Sequence, residues 1–326
     1  MPSQSFVAKA KLGRSQLQVS NVCFGTSGLG DMPDTYGYSV DLDRAKATVR
    51  AIFAGPVNFI DTSRIYGAGR SEQRIGDVIR DSGGLAKGFV VSTKLDRDFT
   101  TNGFDGARAR RSLEESLKAL GLDRIHLLHL HDPEHAASLA EITRPGGAIT
   151  ELFKMKEEGL TDAIGLAAGK VEIMMPLLRE WDFDALLTHN RFTLVNRNAE
   201  AMIDFAVGKG MAVLNAAPYA SGVLAKGTQI SKRYAYQEAT DDMLAPVRRV
   251  EEICARHGIP TGAAALQFSL RDKRITSTIC GVTKPERVQE TLDWAAWPIP
   301  LPVWDELLSG PVGRDDPEAT REYTLG

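Results

Sequence analysis

Eight short apolar runs, at residues 22–24, 58–61, 89–94, 125–131, 163–168, 185–190, 211–217 and 278–282, restrict this chain more than any other feature. Each is too short for an ordinary helix, and segments with helical spacing separate them. Ala109, Leu113, Leu117 and Leu120, for example, fall on one face at steps of three or four, and Gly121 then supplies a stop. Further helices are predicted over 42–53, 72–79, 149–158, 171–181, 199–207 and 286–294, with Asp41 and Ser71 as N-caps. Two more, over 243–257 and 262–270, both precede the last run, so one of them is an extra helix.

Strands that read as continuous apolar runs belong in a sheet buried on both faces. Eight of them alternating with helices, in 326 residues with no proline- or glycine-rich linker, predict an α/β fold: a single-domain parallel (β/α)8 TIM barrel spanning 1–326. Residues 11–14 and 16–19 bracket a turn and predict a small N-terminal β-hairpin. A net charge of -3 offers no basic footprint for nucleic acid or an anionic membrane, so a small-molecule substrate is the expected partner. No run approaches the roughly 18 apolar residues of a membrane span and residues 1–22 carry no secretory pattern, which places the chain in the cytoplasm. Cys23, Cys254 and Cys280 are odd in number and widely spaced, and are expected to be buried free thiols.

In such a barrel the active site forms at the carboxyl ends of the strands and in the loops beyond them. In the stretch Asn58-Phe59-Ile60-Asp61-Thr62-Ser63-Arg64-Ile65-Tyr66-Gly67 an apolar run ends in an acid, and a tyrosine follows five residues later. Counting strands brings Lys94, His131 and Asn190 to the same rim. Singly, Asp61 reads as a loop cap, Tyr66 as a turn aromatic and Lys94 as a charge leaving a strand. Lys94 resists that reading most, because a lysine at an inner strand end needs a partner, and Asp61 on the adjacent strand provides one. A cation beside a phenol lowers its pKa from about 10 by roughly one to three units. Tyr66 is therefore expected to be tuned towards proton transfer, with a neutral His131 imidazole orienting the substrate oxygen.

The segment Asp61 to Gly67 with Glu72, the strand end Ser92-Thr93-Lys94 and the segment Leu130-His131-Asp132-Pro133 resemble the aldo-keto reductases, whose motifs supply an Asp, Tyr, Lys, His tetrad. The resemblance runs from Leu12-Gly13-Arg14 and Phe24-Gly25-Thr26 to Gly281-Val282-Thr283-Lys284-Pro285-Glu286-Arg287. Within the family, residues 24–30, Leu130-His131-Asp132-Pro133 and Asn215-Ala216-Ala217-Pro218 are similar to the aldose 1-dehydrogenase group, which includes D-threo-aldose (L-fucose) dehydrogenases and pyridoxal 4-dehydrogenases. That resemblance implies oxidation of a cyclic hemiacetal to a lactone; reduction of an aldehyde or ketone with NADPH is the alternative.

It also implies NAD or NADP across the barrel mouth. Contacts are expected from Thr26 and Ser27, from Asn190 to the carboxamide, from Tyr219, Ser221, Gly222 and Leu224 after strand seven, and from Gly281, Thr283, Lys284 and Arg287 after strand eight. Three departures from the family pattern stand out. Ala167-Ala168 replaces a common Ser-Asn pair, Ala216 replaces a stacking aromatic whose space Tyr219 is a candidate to fill, and Gly281 replaces a lysine frequent in NADP-preferring relatives, which favours NAD. The run from Gly25 to Gly30 lacks the Rossmann spacing and is expected to be a flexible rim loop. Substrate contacts are expected from 32–36 and 96–104, and the polar segment 313–326 as a solvated end or a flap over the mouth.

Two rival readings remain. His126, His129, His131 and His135 suggest a metal site, yet the pair sharing a strand face lies on the fourth strand and no acidic ligand set accompanies it, so no metal is expected. A cofactor-binding regulatory module is the other rival, against which the complete tetrad argues.

Overall fold

The computed structural model describes residues 6–321; residues 322–326 of the expected flap lie outside the described residues. The chain opens on an antiparallel hairpin, β1 (Lys9–Lys11) and β2 (Gln18–Ser20). Eight parallel strands then close a barrel: β3 (Val22–Gly25), β4 (Phe59–Asp61), β5 (Val90–Leu95), β6 (Ile125–His131), β7 (Thr161–Ala167), β8 (Ala185–His189), β9 (Ala212–Ala216) and, after the two-stranded ribbon β10 (Arg233–Tyr234) and β11 (Gln237–Glu238), β12 (Ser277–Gly281). β12 pairs with both β9 and β3, which completes the ring. All eight predicted strands are present, as is the extra helix, since Asp241–Arg256 and Thr261–Arg271 both precede β12.

Period-two alternation sorts the strand residues into two cores. Phe24, Ile60, Val91, Leu128, Ile164, Leu186 and Val213 face outward and pack under the helices. Cys23, Phe59, Val90, Leu127, Ala163, Ala185, Leu214 and Ile279 fill the barrel, joined by Leu12 and Val19 of the hairpin. A further core joins Asp241–Arg256 and Thr261–Arg271 with Leu301–Leu308. The three cysteines are buried and free.

The helix boundaries follow local chemistry. Asp41 caps Leu42–Ala54 by accepting from the Arg44 amide, and Gly121 closes Gly106–Leu120 in the left-handed region, φ +68°, its amide donating to Leu117. Ser71 is not a cap. The helix starts one residue earlier, at Arg70 with Gly69 before it, and the Ser71 hydroxyl is buried against Thr26 and Thr62. The predicted flexible rim loop is a buried 3-10 turn, Ser27–Gly30. Among the described residues no helix is long and apolar enough to cross a membrane.

Candidate active site

Stepping by two along each strand from the barrel core leads to one upper layer: Gly25, Asp61, Lys94, His131, Ala167, His189, Ala216 and Gly281. The small residues open the mouth on one side. The polar ones on β4, β5 and β6 crowd the other. A cavity of about 610 Å³ occupies this end of the barrel, and Tyr66, Asp61, Lys94 and His131 all line it.

Lys94 Nζ donates to Asp61 Oδ2 at 2.7 Å, to the Thr62 carbonyl at 2.6 Å and to the Tyr66 hydroxyl at 3.3 Å. Lys94 and Asp61 are 1% and 3% exposed, so the ion pair is desolvated and each charge depends on the other. Ser92 supports Asp61 from below, donating to Oδ1 at 2.9 Å. The Tyr66 and His131 rings meet edge to face, 6.2 Å between centroids.

The phenol departs from expectation. Burial, then the Asp61 charge, then the phenols of Tyr36 and Tyr236 hold Tyr66 well above its ordinary pKa. Burial is the largest cause, and the lysine charge offsets little of it because Asp61 lies 2.7 Å from the ammonium, closer than the phenol at 3.3 Å. Tyr66 is therefore held as a protonated donor.

His131 also departs, in the opposite sense. Burial disfavours its charge, but the carboxylates of Asp132 and Asp96 outweigh burial and raise the imidazole above its ordinary value. Asp96 is fully buried: Oδ1 lies 2.6 Å from His131 Nδ1, and Oδ2 accepts from Ser63 at 2.7 Å and from the Ile65 amide at 2.9 Å. Burial is opposed at Asp96 by the His131 charge and these donors, so the carboxyl stays below its ordinary value. With Nδ1–H committed to Asp96, the ring offers a hydrogen from Nε2 only as imidazolium. The shift favours the charged form relative to a free histidine. The segment 96–104, expected to touch substrate, contributes no wall residue among the described residues, because Asp96 turns to His131 and Phe104 is buried.

Most of the expected cofactor contacts line the cavity: Thr26, Ser27, Tyr219, Ser221, Gly222, Gly281, Thr283, Lys284 and Arg287. Leu224 does not; it is fully buried in the core beneath. Asn190 does not either. It follows β8 at φ +58°, is 1% exposed, and its amide donates at 2.9 Å to Glu318, which does line the cavity. His189, in phase from Ala185, takes the wall position instead. Tyr219 is only partly free to fill the space left by Ala216, since its ring packs edge-on against Trp294 at 5.7 Å.

Several wall residues had no local signal. Tyr236 sits in the two-residue turn of the β10–β11 ribbon, where Ala235 and Tyr236 both have positive φ, and meets Tyr36 edge to face at 6.2 Å. Arg233 of that ribbon donates to the Thr35 carbonyl at 2.6 Å, joining two loops across the mouth. Residues 313–321 form the flap. Glu318 Oε1 lies 2.8 Å from His189 Nε2, Arg321 donates to Oε2 at 2.7 Å, and Arg191, 2% exposed, pairs with Asp316 at 2.9 Å. Burial opposes ionisation of Glu318, but His189, Arg191 and Arg321 hold its carboxyl well below the usual range.

The histidines do not converge: His126 Nδ1 accepts from the Val91 amide, and His129 turns to Ser92 inside the barrel. Among the described residues no group of three or more His, Cys, Asp or Glu is placed to hold a metal ion.

Comparison with known proteins agrees with this geometry. The aldo/keto reductase family model matches residues 21–307. Pyridoxal 4-dehydrogenase of Microbacterium luteolum is 29% identical over 341 residues, covering 92% of this chain and 96% of that protein. D-threo-aldose 1-dehydrogenase of Pseudomonas sp is 30% identical over 297 residues, covering 81% and 87%. The solved aldo-keto reductase AKR11C1 from Bacillus halodurans, in its holo form, superposes with a TM-score of 0.76 at 18% identity, over 97% of this chain and 100% of that one, a likeness of fold. The chain belongs to the aldo/keto reductase family of oxidoreductases.

Proposed function

We propose that the protein is an NAD(P)-dependent oxidoreductase that oxidises an aldose, or a pyridoxal-like hemiacetal, to its lactone. The observation that carries this reading is the contact of Tyr66 with the buried Lys94–Asp61 pair, opposite the Asp96-anchored His131. The donor set of the wall suits a dinucleotide. Lys284 precedes the helix Pro285–Ala295, whose amino end favours an anion, and Arg44, Lys226 and Arg287 add positive charge on the same wall. A Cβ at Gly281 would meet nothing within 4 Å, so the wall is open there for a ligand to approach the backbone. Of the two dinucleotides, Gly281 favours NAD.

A bound nicotinamide takes up hydride in oxidation and supplies it in reduction. In reduction, Tyr66 gives its proton to the carbonyl oxygen while the His131 imidazolium donates a hydrogen bond from Nε2 to the same oxygen. In oxidation the proton runs the other way, from the substrate hydroxyl to the Tyr66 oxygen, so the phenol must first be deprotonated. Lys94 stabilises that phenolate, and Asp61 holds the ammonium in place. Because burial raises the Tyr66 pKa, oxidation is expected to gain rate with rising pH.

The test is a panel of aldoses, pyridoxal and simple aldehydes with NAD and NADP, followed by absorbance of the reduced cofactor. Tyr66→Phe removes only the hydroxyl, so cofactor binding should persist while turnover falls by about 10²–10⁴. Near-normal turnover in that variant would sink the proton-transfer role, and binding of cofactor without turnover of anything in the panel by wild type would favour a regulatory module.

A further inference from the structure

In the mechanism above, His131 Nε2 donates to the reacting oxygen, and one carboxylate stands beside that nitrogen. Asp132 follows β6 directly and lines the cavity; its Oδ1 lies 3.5 Å from Nε2, and its side chain keeps 11% of its surface accessible. At that length the two groups attract but make no hydrogen bond, so neither satisfies the other. The Asp132 backbone is held in the left-handed region, φ +45° and ψ +56°, which residues other than glycine seldom adopt. Two bonds fix it there, from the Asp132 amide to the Ala167 carbonyl at 3.1 Å and from the His135 amide to the Asp132 carbonyl at 3.0 Å.

A donor and an acceptor are thus left side by side on the cavity wall, the Nε2 hydrogen and a carboxylate oxygen. Their complement is a carbonyl oxygen next to a hydroxyl, the arrangement that an α-hydroxy aldehyde carries. The Asp132 charge also reaches Tyr66, the other group that meets the reacting oxygen. β6 stands four strands from β12 either way round the ring, through β3, β4 and β5 or through β9, β8 and β7. Asp132 therefore lies across the mouth from the cationic loop 281–287, where the dinucleotide is proposed to bind. Resting on the function proposed above, we propose that Asp132 binds substrate: its carboxylate accepts a hydrogen bond from the hydroxyl on the carbon next to the reacting one, and so selects α-hydroxy carbonyl substrates over plain aldehydes. A site that hydrogen-bonds a hydroxyl discriminates strongly against the analogue lacking it, because the polar group of the protein is then left unpaired.

Glycolaldehyde and acetaldehyde, which differ in that one hydroxyl, form the probe pair in the reductive direction. The ratio of their kcat/KM values is measured for wild type, Asp132→Asn and Asp132→Gly. Dissociation constants are measured for the reduced cofactor and, with cofactor-loaded enzyme, for an aldonolactone and its 2-deoxy analogue. Glycine suits the positive φ and asparagine tolerates it, so neither variant strains the backbone. Asp132 also favours the His131 imidazolium, so both aldehydes should slow in the variants, and the ratio cancels that shared loss. Wild type should prefer glycolaldehyde. Asp132→Gly should reduce that preference, and the preference for the lactone over its 2-deoxy analogue, by roughly ten- to a hundredfold, with an unchanged cofactor dissociation constant as evidence that the barrel is intact. Asp132→Asn keeps one neutral acceptor oxygen and should lose less. Unchanged preferences in Asp132→Gly, with or without weaker cofactor binding, would overturn the proposal while leaving the oxidoreductase reading in place. A lactone preference that depends on Asp132 in a protein that turns over neither aldehyde nor aldose would support Asp132 and overturn the activity.

Discussion

Asp96→Asn isolates the electrostatic part of the site. The amide is nearly isosteric, and its oxygen can still accept from His131 Nδ1, now 2.6 Å from the carboxylate. Its nitrogen, however, meets the Ile65 amide, which donates to the carboxylate at 2.9 Å. The main loss is charge. Asp96 is fully buried, so its attraction for His131 is little screened, and a close opposite charge of this kind shifts a pKa by about one to three units, or about 1.4–4 kcal/mol. Without it, burial opposes the imidazolium with only Asp132 on the other side.

The alkaline limb of the reductive kcat/KM profile should therefore move down by about one to three pH units. Near neutral pH, reduction should fall by roughly 10²–10³, the cost of losing one well-placed donor to a developing oxyanion. The pair also contributes stability. His131 is raised, so its share is full below about pH 6.5 and is lost as pH rises through its folded pKa; Asp96 is depressed, so its share is full above about pH 4 and is lost as pH falls through its folded pKa. The stability difference between wild type and variant should accordingly be largest between about pH 4 and 6.5, as read from urea unfolding at several pH values. The assay is reductive turnover from pH 5 to 9 with the His131 ring followed by NMR. A drop in rate at all pH values, with the limb and the ring titration unmoved, would refute the electrostatic role and leave Asp96 as a packing residue.

For Lys94→Met, the phenolate loses its cation, so the pH at which oxidation becomes fast should move upward; an unchanged profile would count against the tuning. The same change leaves Asp61 buried without its partner and should cost about 3–5 kcal/mol in urea unfolding. Glu318→Gln removes the charge that Arg191 and Arg321 face, and amide hydrogen exchange over 313–321 should quicken by roughly ten- to a hundredfold. No change there would mean that the flap is held by its other contacts, among them the Arg191–Asp316 pair and the backbone bonds of Gly313 with Val195 and Arg197. In Gly76→Ala, the new Cβ would lie 2.0 Å from the Ala119 carbonyl, where Arg70–Asp81 crosses Gly106–Leu120. Backbone must move, and a loss of about 1–3 kcal/mol in urea unfolding is expected; a neutral result would show that the two helices separate at little cost.

Where a local period carries the information, the fold is legible in the chain. Apolar runs of strand length located all eight barrel strands, and position along each run brought Asp61, Lys94 and His131 to one rim. The same period puts His189 in phase with Ala185 and Leu187, whereas Asn190, at φ +58°, lies beyond the strand, where that period no longer holds. Asn190 is held instead by Glu318 of the flap, a pairing that no strand period contains. Ser71 failed for a related reason, since a serine before an apolar pattern also serves as a buried hydroxyl when its helix begins earlier.

The remaining parts of the site come from pairings no window of sequence contains. Glu318 reaches Asn190 across 128 residues, Arg233 reaches Thr35 across 198, and Asp96 finds His131 across 35. Protonation states are of the same kind, because each sums burial with every nearby charge: Lys94 by itself would acidify Tyr66, but burial and the Asp61 charge outweigh it. The amino-acid order by itself determined the barrel and which side chains step onto its inner rim, since both depend on periods of two and about 3.6 residues. Only the closed tertiary structure decided which of those groups are charged, what anchors them and what covers them, because desolvation and Coulomb energies depend on distances between distant parts of the chain.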